Sequence, residues 1–214
     1  MKLLKITAAL LLFAQSVLAQ PSEKYIAAMQ KNLQSMEAAF KNPGTLLTLA
    51  NNFERIGDAE KTQWLPYYYA AFCQVNYGFM EQDKSKTDIL ANKATELIDK
   101  ASALNSNNSE ISCIKSMIAS CHMMVDPQSR FMTYGPASGK YLEEAKMQDA
   151  TNPRPDFLTG QALKYTPEQF GGGCNTAKPQ IESALKKFEA FRPASPMHPG
   201  WGKEMAMKIL EECK

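Results

Sequence analysis

Apolar side chains recur along this chain at the three- and four-residue spacing of α-helices, and polar turns separate the helical stretches. No stretch alternates apolar and polar residues over the length of a strand. The pattern therefore predicts an all-α chain of about nine helices. Their expected ranges are 22–41, 45–58, 62–80, 86–104, 109–124, 138–150, 155–164, 176–191 and 200–213.

Two connections between these helices carry residues that disfavour regular structure. Residues 126–139 contain Pro127, Gly135 and Pro136, and residues 166–173 end in three consecutive glycines. Proline lacks a backbone N–H, and glycine favours turns. We therefore expect two irregular loops, the second one tight enough to tuck Phe170 under the following helix.

One helix-and-turn pattern occurs twice in the chain. Its copies begin at Ala94 and Ser138, 44 residues apart, and each ends in a polar turn that leads into another helix. Repeated units of helix, short turn and helix are typical of proteins built from stacked antiparallel hairpins. The duplication therefore predicts a stack of helical hairpins.

The residues of these helices resemble a known repeat family. Small and apolar residues stand at the second-helix positions of a tetratricopeptide repeat, namely Ala94, Ile98, Ala101 and Leu104. Thr159 and Gly160 stand where the next repeat has its Leu-Gly pair, which lets two helix backbones approach closely. Over residues 45–213 the chain resembles exported tetratricopeptide-repeat-like proteins common in Bacteroidetes. The resemblance implies an α-α solenoid with a concave groove that holds extended peptides or partner segments.

The first residues have the features of a secretory signal peptide. Lys2 and Lys5 precede an apolar run at 6–13, and Val17-Leu18-Ala19 offers small residues for cleavage. We expect cleavage near Ala19 and a single helical domain over 20–214, located in the periplasm or secreted. No later apolar run is long enough to predict a membrane span.

The charge of the expected mature chain is balanced. The formal net charge is +2, and removal of the two lysines in 1–19 reduces it to 0. A neutral, mixed surface argues against nucleic acid or an anionic membrane as the main partner.

The five cysteines all lie in the expected mature chain, where an oxidising compartment permits disulfides. Cys113 and Cys121 share one expected helix about 12 Å apart, too far for a bridge. Cys174 opens one helix and Cys213 closes the next, so an antiparallel hairpin would bring the two together. We predict a Cys174–Cys213 disulfide, and the alternative is that all five cysteines are buried thiols.

A sulfur-rich helix face offers an alternative function. Its residues are Cys113, Met117, Cys121 and Met124, with His122 beside them. Soft sulfur ligands suit Cu(I), which would make the protein a small exported copper carrier or enzyme. The face spans about 16 Å, however, so its four sulfurs cannot share one ion, and core packing is the favoured interpretation.

Nothing in the sequence favours catalysis or a bound cofactor. A serine or cysteine nucleophile would need His122 or His198 as its base, and His198 lies in a turn with no acid nearby. The triple glycine lacks the Lys-Ser/Thr sequel of a nucleotide-binding loop. We therefore expect neither an enzyme nor a resident metal.

An aromatic run near the start of the third expected helix is the candidate binding surface. It contains Trp64, Tyr67, Tyr68 and Tyr69. Rings so close in sequence cannot all face one side of a helix, and tyrosine is enriched at interfaces. The alternative is that most of them fill the core. The sequence thus predicts an exported, non-catalytic helical scaffold that binds a peptide, a protein or a cell-envelope component.

Overall fold

The computed structural model describes residues 21–214, so the expected signal peptide at 1–19 lies outside the described residues. Within that range the chain forms ten α-helices and one short 3-10 turn, and no strand. The helices are α1 (Glu23–Gln34), α2 (Met36–Lys41), α3 (Pro43–Glu60), α4 (Trp64–Met80), α5 (Lys84–Leu104), α6 (Ser109–Met123), α7 (Pro127–Gln148), α8 (Arg154–Tyr165), α9 (Cys174–Ala190) and α10 (Lys203–Glu212). None of these helices is long and apolar enough to cross a membrane.

Successive helices form antiparallel hairpins that stack along the chain. Helix α4 contacts α6, and α6 contacts α8, so these three form one row. Helices α3, α5, α7 and α9 each pack beside a member of that row. The predicted all-α stack of helical hairpins is confirmed.

Polar residues start several of these helices. The side chain of Asp83 accepts a hydrogen bond from the Ser85 amide at the start of α5, and Asn108 caps α6 in the same way. Asp126 accepts from the Ser129 amide at the start of α7. Such residues satisfy backbone N–H groups that have no partner within the helix.

Helix α4 lies at the centre of the stack, as its uniformly apolar sequence predicts. Buried residues occur on every side of it, including Tyr68, Ala71, Cys73 and Val75. A helix that is apolar all round needs neighbours all round. Helices α3, α5 and α6 supply them.

The predicted loop at 126–139 is wrong, because this segment forms the first half of α7. Pro127 stands in the first turn, where a missing N–H costs nothing and the fixed φ favours a helix. Pro136 lies inside the helix, at a cost of about 3 kcal/mol. Packing of α7 against α6 offsets that cost, since Leu142 and Ala145 are buried and Ser138 hydrogen-bonds to α6.

The second predicted loop is mostly irregular, with a 3-10 turn over Glu168–Phe170. Gly171 and Gly173 have φ of 82° and 90°, a conformation that glycine adopts without strain. Phe170 is 69% exposed, so the expectation that it tucks under the next helix is wrong. Backbone hydrogen bonds from Gly172 and Gly173 hold the turn, and the ring is not needed for this.

The C-terminal hairpin of α9 and α10 closes the stack. Cys174 and Cys213 form a disulfide with their Cα atoms 5.2 Å apart, the pair predicted from the sequence. The connection over residues 191–202 lies across α4 and α8. Tyr69 donates a hydrogen bond to the Met197 carbonyl, and the Trp201 indole donates to the Tyr68 hydroxyl.

Candidate functional site

The aromatic run of α4 is used mainly inside the fold. Tyr67, Tyr68 and Tyr69 are all buried, and Tyr68 has no exposed surface. Their hydroxyls bond internally: that of Tyr67 donates to Asp58, and that of Tyr69 to a backbone carbonyl. Central packing of α4 requires this arrangement, because helices surround it on every side. These three rings therefore do not present a binding surface in the described chain.

Trp64 is the member of the run that remains partly exposed. Its ring packs edge-on against Tyr68, with centroids 5.5 Å apart, and against the His198 ring at 5.8 Å. Trp64 also lines a polar cleft beside the turns that precede α6 and α8. Ligand contact by Trp64 stays a prediction.

Three of the four residues on the sulfur-rich face of α6 are part of the core, and Met124, just after the helix, is exposed. Cys113 and Cys121 are completely buried, and Met117 nearly so. Burial raises the pKa of the Cys121 thiol to about 12 and that of Cys113 as well, which disfavours the thiolate that binds metals. Across residues 21–214 no three His, Cys, Asp or Glu side chains are grouped so that they could hold a metal ion.

A predominantly apolar cleft opens between α5, α6 and α7 and encloses about 270 Å³. We call it the tyrosine cleft. It is lined by Thr95, Ile98, Asp99, Lys115, Ile118, Ala119, His122, Tyr134, Ala137 and Tyr141. Ile98, Ile118 and Ala119 are buried and belong to helices that pack closely, so they provide a firm apolar floor. Two phenol rings, one imidazole, one ammonium group, the Asp99 carboxylate and the Thr95 hydroxyl complete the walls with Ala137.

Helical spacing brings the wall residues of this cleft together. Tyr134, Ala137 and Tyr141 stand at i, i+3 and i+7 on α7 and therefore share one face. Lys115 and His122 stand at i and i+7 on α6 and face them. The small Ala137 between the two tyrosines leaves room between their rings.

His122 is fixed by a network of charged hydrogen bonds at one end of the cleft. Its Nδ1 lies 2.8 Å from Asp88 Oδ1. Arg130 holds the same carboxylate with two hydrogen bonds of 2.8 and 2.9 Å, and also donates to the His122 carbonyl. The imidazole stacks on the Tyr134 ring with centroids 5.1 Å apart and planes 15° apart.

The network determines how the imidazole is presented. The Arg130 guanidinium, with support from His122, lowers the pKa of Asp88 to about 2, so its carboxylate is charged at neutral pH. A charged carboxylate can only accept, so Nδ1 carries the hydrogen of this bond, and Nε2 has no hydrogen-bond partner within residues 21–214. The arrangement matches the carboxylate-supported histidines that bind metals in proteins.

A second, more polar cleft lies beside the turns that precede α6 and α8 and encloses about 310 Å³. We call it the asparagine cleft. Its lining consists of Trp64, Asn105, Asn107, Asn108, Ser109, Glu110, Gln148, Asp149, Asn152, Phe191, Arg192, Ala194, His198 and Pro199. Five of these fourteen residues carry a side-chain amide, and aromatic rings form part of the wall.

Buried polar groups form the floor of the asparagine cleft. Glu110 accepts hydrogen bonds from Arg154 at 2.7 Å and from Asn152 at 3.0 Å. Burial raises the pKa of Glu110, and the Arg154 charge opposes this rise. His198, at the rim, bonds to Ser195 through Nδ1, and burial lowers its pKa. This hydrogen bond joins two residues of the same turn, so His198 stabilises the turn.

Most residues of the tyrosine cleft are absent from the candidate sites that the sequence predicts. Tyr134 and Ala137 lie in the segment expected to be a loop, which hides the helix face that they share with Tyr141. Their i, i+3, i+7 spacing is nevertheless the pattern of a half-exposed aromatic face. Asp88 and Arg130 are brought to His122 only by the packing of three helices, and no local pattern reveals that.

The chain resembles a solved structure of known function. It is similar to the HusA haemophore from Porphyromonas gingivalis, with 35% sequence identity and a TM-score of 0.80. The match covers 89% of this chain and 92% of the haemophore. No family model and no curated protein matches the chain.

Proposed function

The chain belongs to the same family as the HusA haemophore, and we propose that it is an exported, non-catalytic carrier that binds haem in the tyrosine cleft. The proposal includes removal of a signal peptide at 1–19 and a single helical domain over 20–214. Similarity over almost the full length of both chains supports a shared ligand class. The observation that carries the choice of site is the apolar cleft with its two tyrosines and one supported histidine.

Haem makes specific demands on a binding site. Its macrocycle is flat, wide and apolar, its edge carries two carboxylates, and its iron accepts axial ligands. A suitable site needs an apolar surface, rings that can stack on the macrocycle, and a cation near the edge. The tyrosine cleft supplies all three.

The apolar floor and the tyrosine rings would hold the macrocycle. Ile98, Ile118 and Ala119 offer a dry surface, and on the opposite wall Tyr141 offers a ring face. The Tyr134 ring is stacked on His122 and holds that imidazole in place. Stacked aromatic pairs contribute about 0.5–1.5 kcal/mol beyond the burial of their area. The ammonium of Lys115, on α6, faces the tyrosines and can pair with a haem carboxylate, and the only carboxylate that lines the cleft is that of Asp99.

His122 is the residue that could reach the iron. Asp88 fixes its Nδ1, so Nε2 remains available. Because the macrocycle itself holds the iron, one protein side chain is enough to ligate it. The copper carrier considered from the sequence has less support, because Cys113 and Cys121 are buried and burial raises their pKa.

The asparagine cleft suits this ligand less well. Seven of its fourteen lining residues carry an amide or a carboxylate, and burial of these groups under an apolar macrocycle would leave hydrogen-bonding groups unsatisfied. A peptide groove along the row of α4, α6 and α8 has less support too, because residues 191–202 lie across α4 and α8.

Haem titration tests the proposal. The mature protein should change the Soret absorbance of haemin at a 1:1 ratio, with a dissociation constant of about 1 μM or below. Tyr134→Ala and Tyr141→Ala should each weaken binding by about tenfold, the equivalent of one stacking interaction. Ala137→Trp should abolish binding, since the large side chain would occupy the space between the tyrosines.

Controls separate the site from non-specific adsorption. Tyr165→Ala removes an exposed tyrosine at the end of α8, outside the cleft, and should bind haemin as the wild type does. If Nε2 ligates the iron, His122→Ala should weaken the binding of haemin more than the binding of metal-free protoporphyrin IX. If His122 acts only by stacking on Tyr134, the variant should weaken the binding of both ligands equally. Unchanged binding by both the Tyr134 and the Ala137 variant would refute the assignment to this cleft.

A further inference from the structure

We propose that the asparagine cleft is a second binding site and that its ligand is a neutral saccharide. The cleft lies apart from the tyrosine cleft, and the two share no lining residue. The inference concerns a function additional to haem binding and does not depend on it.

The amide side chains of the cleft have unused hydrogen-bonding capacity. Asn105 and Asn107 make no side-chain hydrogen bond within the described residues, although both line the cleft. Gln148 accepts from Ser112 through Oε1, which leaves its two N–H donors free. A side-chain amide offers donors and an acceptor next to each other. Sugar hydroxyls likewise donate and accept, so neighbouring hydroxyls can bond to both ends of an amide.

Trp64 provides an apolar face beside these amides. A sugar ring exposes C–H groups on its faces and hydroxyls at its edge, so it packs against an aromatic ring while its edge is hydrogen-bonded. The Trp64 indole N–H has no acceptor in the part of the chain that the structure describes, whereas that of Trp201 donates to Tyr68. Trp64 therefore has both a free ring surface and a free donor.

The charges around the cleft favour a neutral ligand. Glu110 is neutralised by Arg154 at 2.7 Å, and the Arg154 guanidinium is itself fully buried. At the rim, the carboxylate of Asp149 and the guanidinium of Arg192 have opposite signs. An anionic or cationic ligand would gain little net attraction here. A hydroxyl-rich neutral molecule uses the amides without requiring a counter-charge.

The floor of the cleft is already rigid. Asn152 is buried and fully bonded, since it donates to Ser109 and Glu110 and accepts from the Arg154 amide. Binding therefore need not order the floor, and the entropy cost falls mainly on the side chains of Asn105 and Asn107. A volume of about 310 Å³ is large enough for one or two sugar rings.

Calorimetric titration with defined sugars tests the inference. The probes are glucose, galactose, N-acetylglucosamine and the disaccharides cellobiose, lactose and chitobiose. We expect at least one to bind with a dissociation constant of about 1 mM, as usual for a small polar ligand. Trp64→Ala should weaken that binding at least tenfold. Asn107→Ala, an exposed substitution that leaves the fold intact, should weaken it severalfold.

Charged and peptide probes, with variants of the other cleft, complete the test. Glucosamine, glucuronate and the blocked tripeptide acetyl-Ala-Ala-Ala-amide should bind more weakly than the best neutral sugar. Tyr134→Ala and haemin-loaded protein should bind that sugar like the wild type. The inference is overturned if no neutral sugar binds at about 20 mM, if a charged or peptide probe binds more tightly, or if neither Trp64→Ala nor Asn107→Ala weakens binding.

Discussion

The guanidinium of Arg154 and the carboxylate of Glu110 form an ion pair, 2.7 Å long, in the interior of the helical stack. The Arg154 side chain has no exposed surface, and its guanidinium lies 4.9 Å from the Phe191 ring centroid and 5.1 Å from that of Trp201. It also donates to the Pro199 carbonyl at 2.6 Å. One side chain thus ties α6, α8 and the 191–202 connection together.

Replacing Arg154 by methionine should strongly destabilise the fold. The substitution leaves the buried Glu110 charge without its partner, which typically costs about 3–5 kcal/mol. Denaturant unfolding followed by circular dichroism would measure the loss. The matched control is Lys41→Met, which breaks an exposed pair with Glu37 and should cost less than about 1 kcal/mol. Equal losses in the two variants would show that the buried pair has no special role.

The sequence alone revealed the helical class, most helix boundaries and the central position of α4. These features depend on local properties, namely apolar spacing and capping residues such as Asn108, that act within one or two turns of helix. The Cys174–Cys213 pair could be predicted for a similar reason, because an antiparallel hairpin follows from two adjacent helices and a turn.

The candidate site could not be predicted in the same way. Pro136 is a helix breaker by local criteria, and only packing of α7 on α6 makes the helix through it favourable. The Asp88–His122 contact joins residues 34 positions apart on two helices, so it depends on how those helices pack. The burial of Tyr68 likewise depends on neighbours that are distant in sequence.

Gly160→Ala should destabilise the protein although alanine is the better helix former. A Cβ at this position would lie 2.6 Å from Cδ1 of Ile181 and 3.2 Å from Cβ of Gln180, so α8 and α9 would have to separate. Overpacking of this kind costs about 1–3 kcal/mol. Gly139→Ala on α7 is the control, because no atom lies within 4 Å of its added Cβ and the higher helix propensity should stabilise by about 0.5–1 kcal/mol. Thermal unfolding would measure the melting temperatures, and a shift of both variants in the same direction relative to the wild type would contradict this account.

Stability should fall as the pH decreases from about 4 to about 2, and Asp88 should contribute to the fall. Arg130, supported by His122, lowers the pKa of Asp88 from 3.8 to about 2 in the folded chain. Between these values the unfolded chain binds more protons at this residue, so acid favours unfolding. Asp88→Asn should therefore flatten the dependence of the unfolding free energy on pH in this range.

A control variant and a second carboxylate define how much of the pH dependence comes from Asp88. Glu37→Gln alters only an exposed pair and should keep the wild-type pH dependence, since Asp88 is untouched. Part of the fall should persist in Asp88→Asn, because hydrogen bonds from Lys187 and Ser183 also lower the pKa of Asp156 against the opposing effect of burial. If the unfolding free energy depends on pH identically in the wild type and Asp88→Asn, the ion pair between Asp88 and Arg130 does not contribute to stability.

Loss of the Cys174–Cys213 disulfide should destabilise the C-terminal hairpin. The bridge closes a loop between residues 39 positions apart, and such cross-links contribute about 2–4 kcal/mol by restricting the unfolded chain. Cys213→Ser and the double variant Cys174→Ser/Cys213→Ser should lose the same stability, because the contribution belongs to the bond and not to either side chain. Thiol titration in denaturant should find three thiols before reduction, from the buried Cys73, Cys113 and Cys121, and five afterwards. Five reactive thiols without reductant would contradict the pairing. If Cys213→Ser is as stable as the wild type and the double variant is not, the loss of stability comes from the Cys174 side chain and not from the bond.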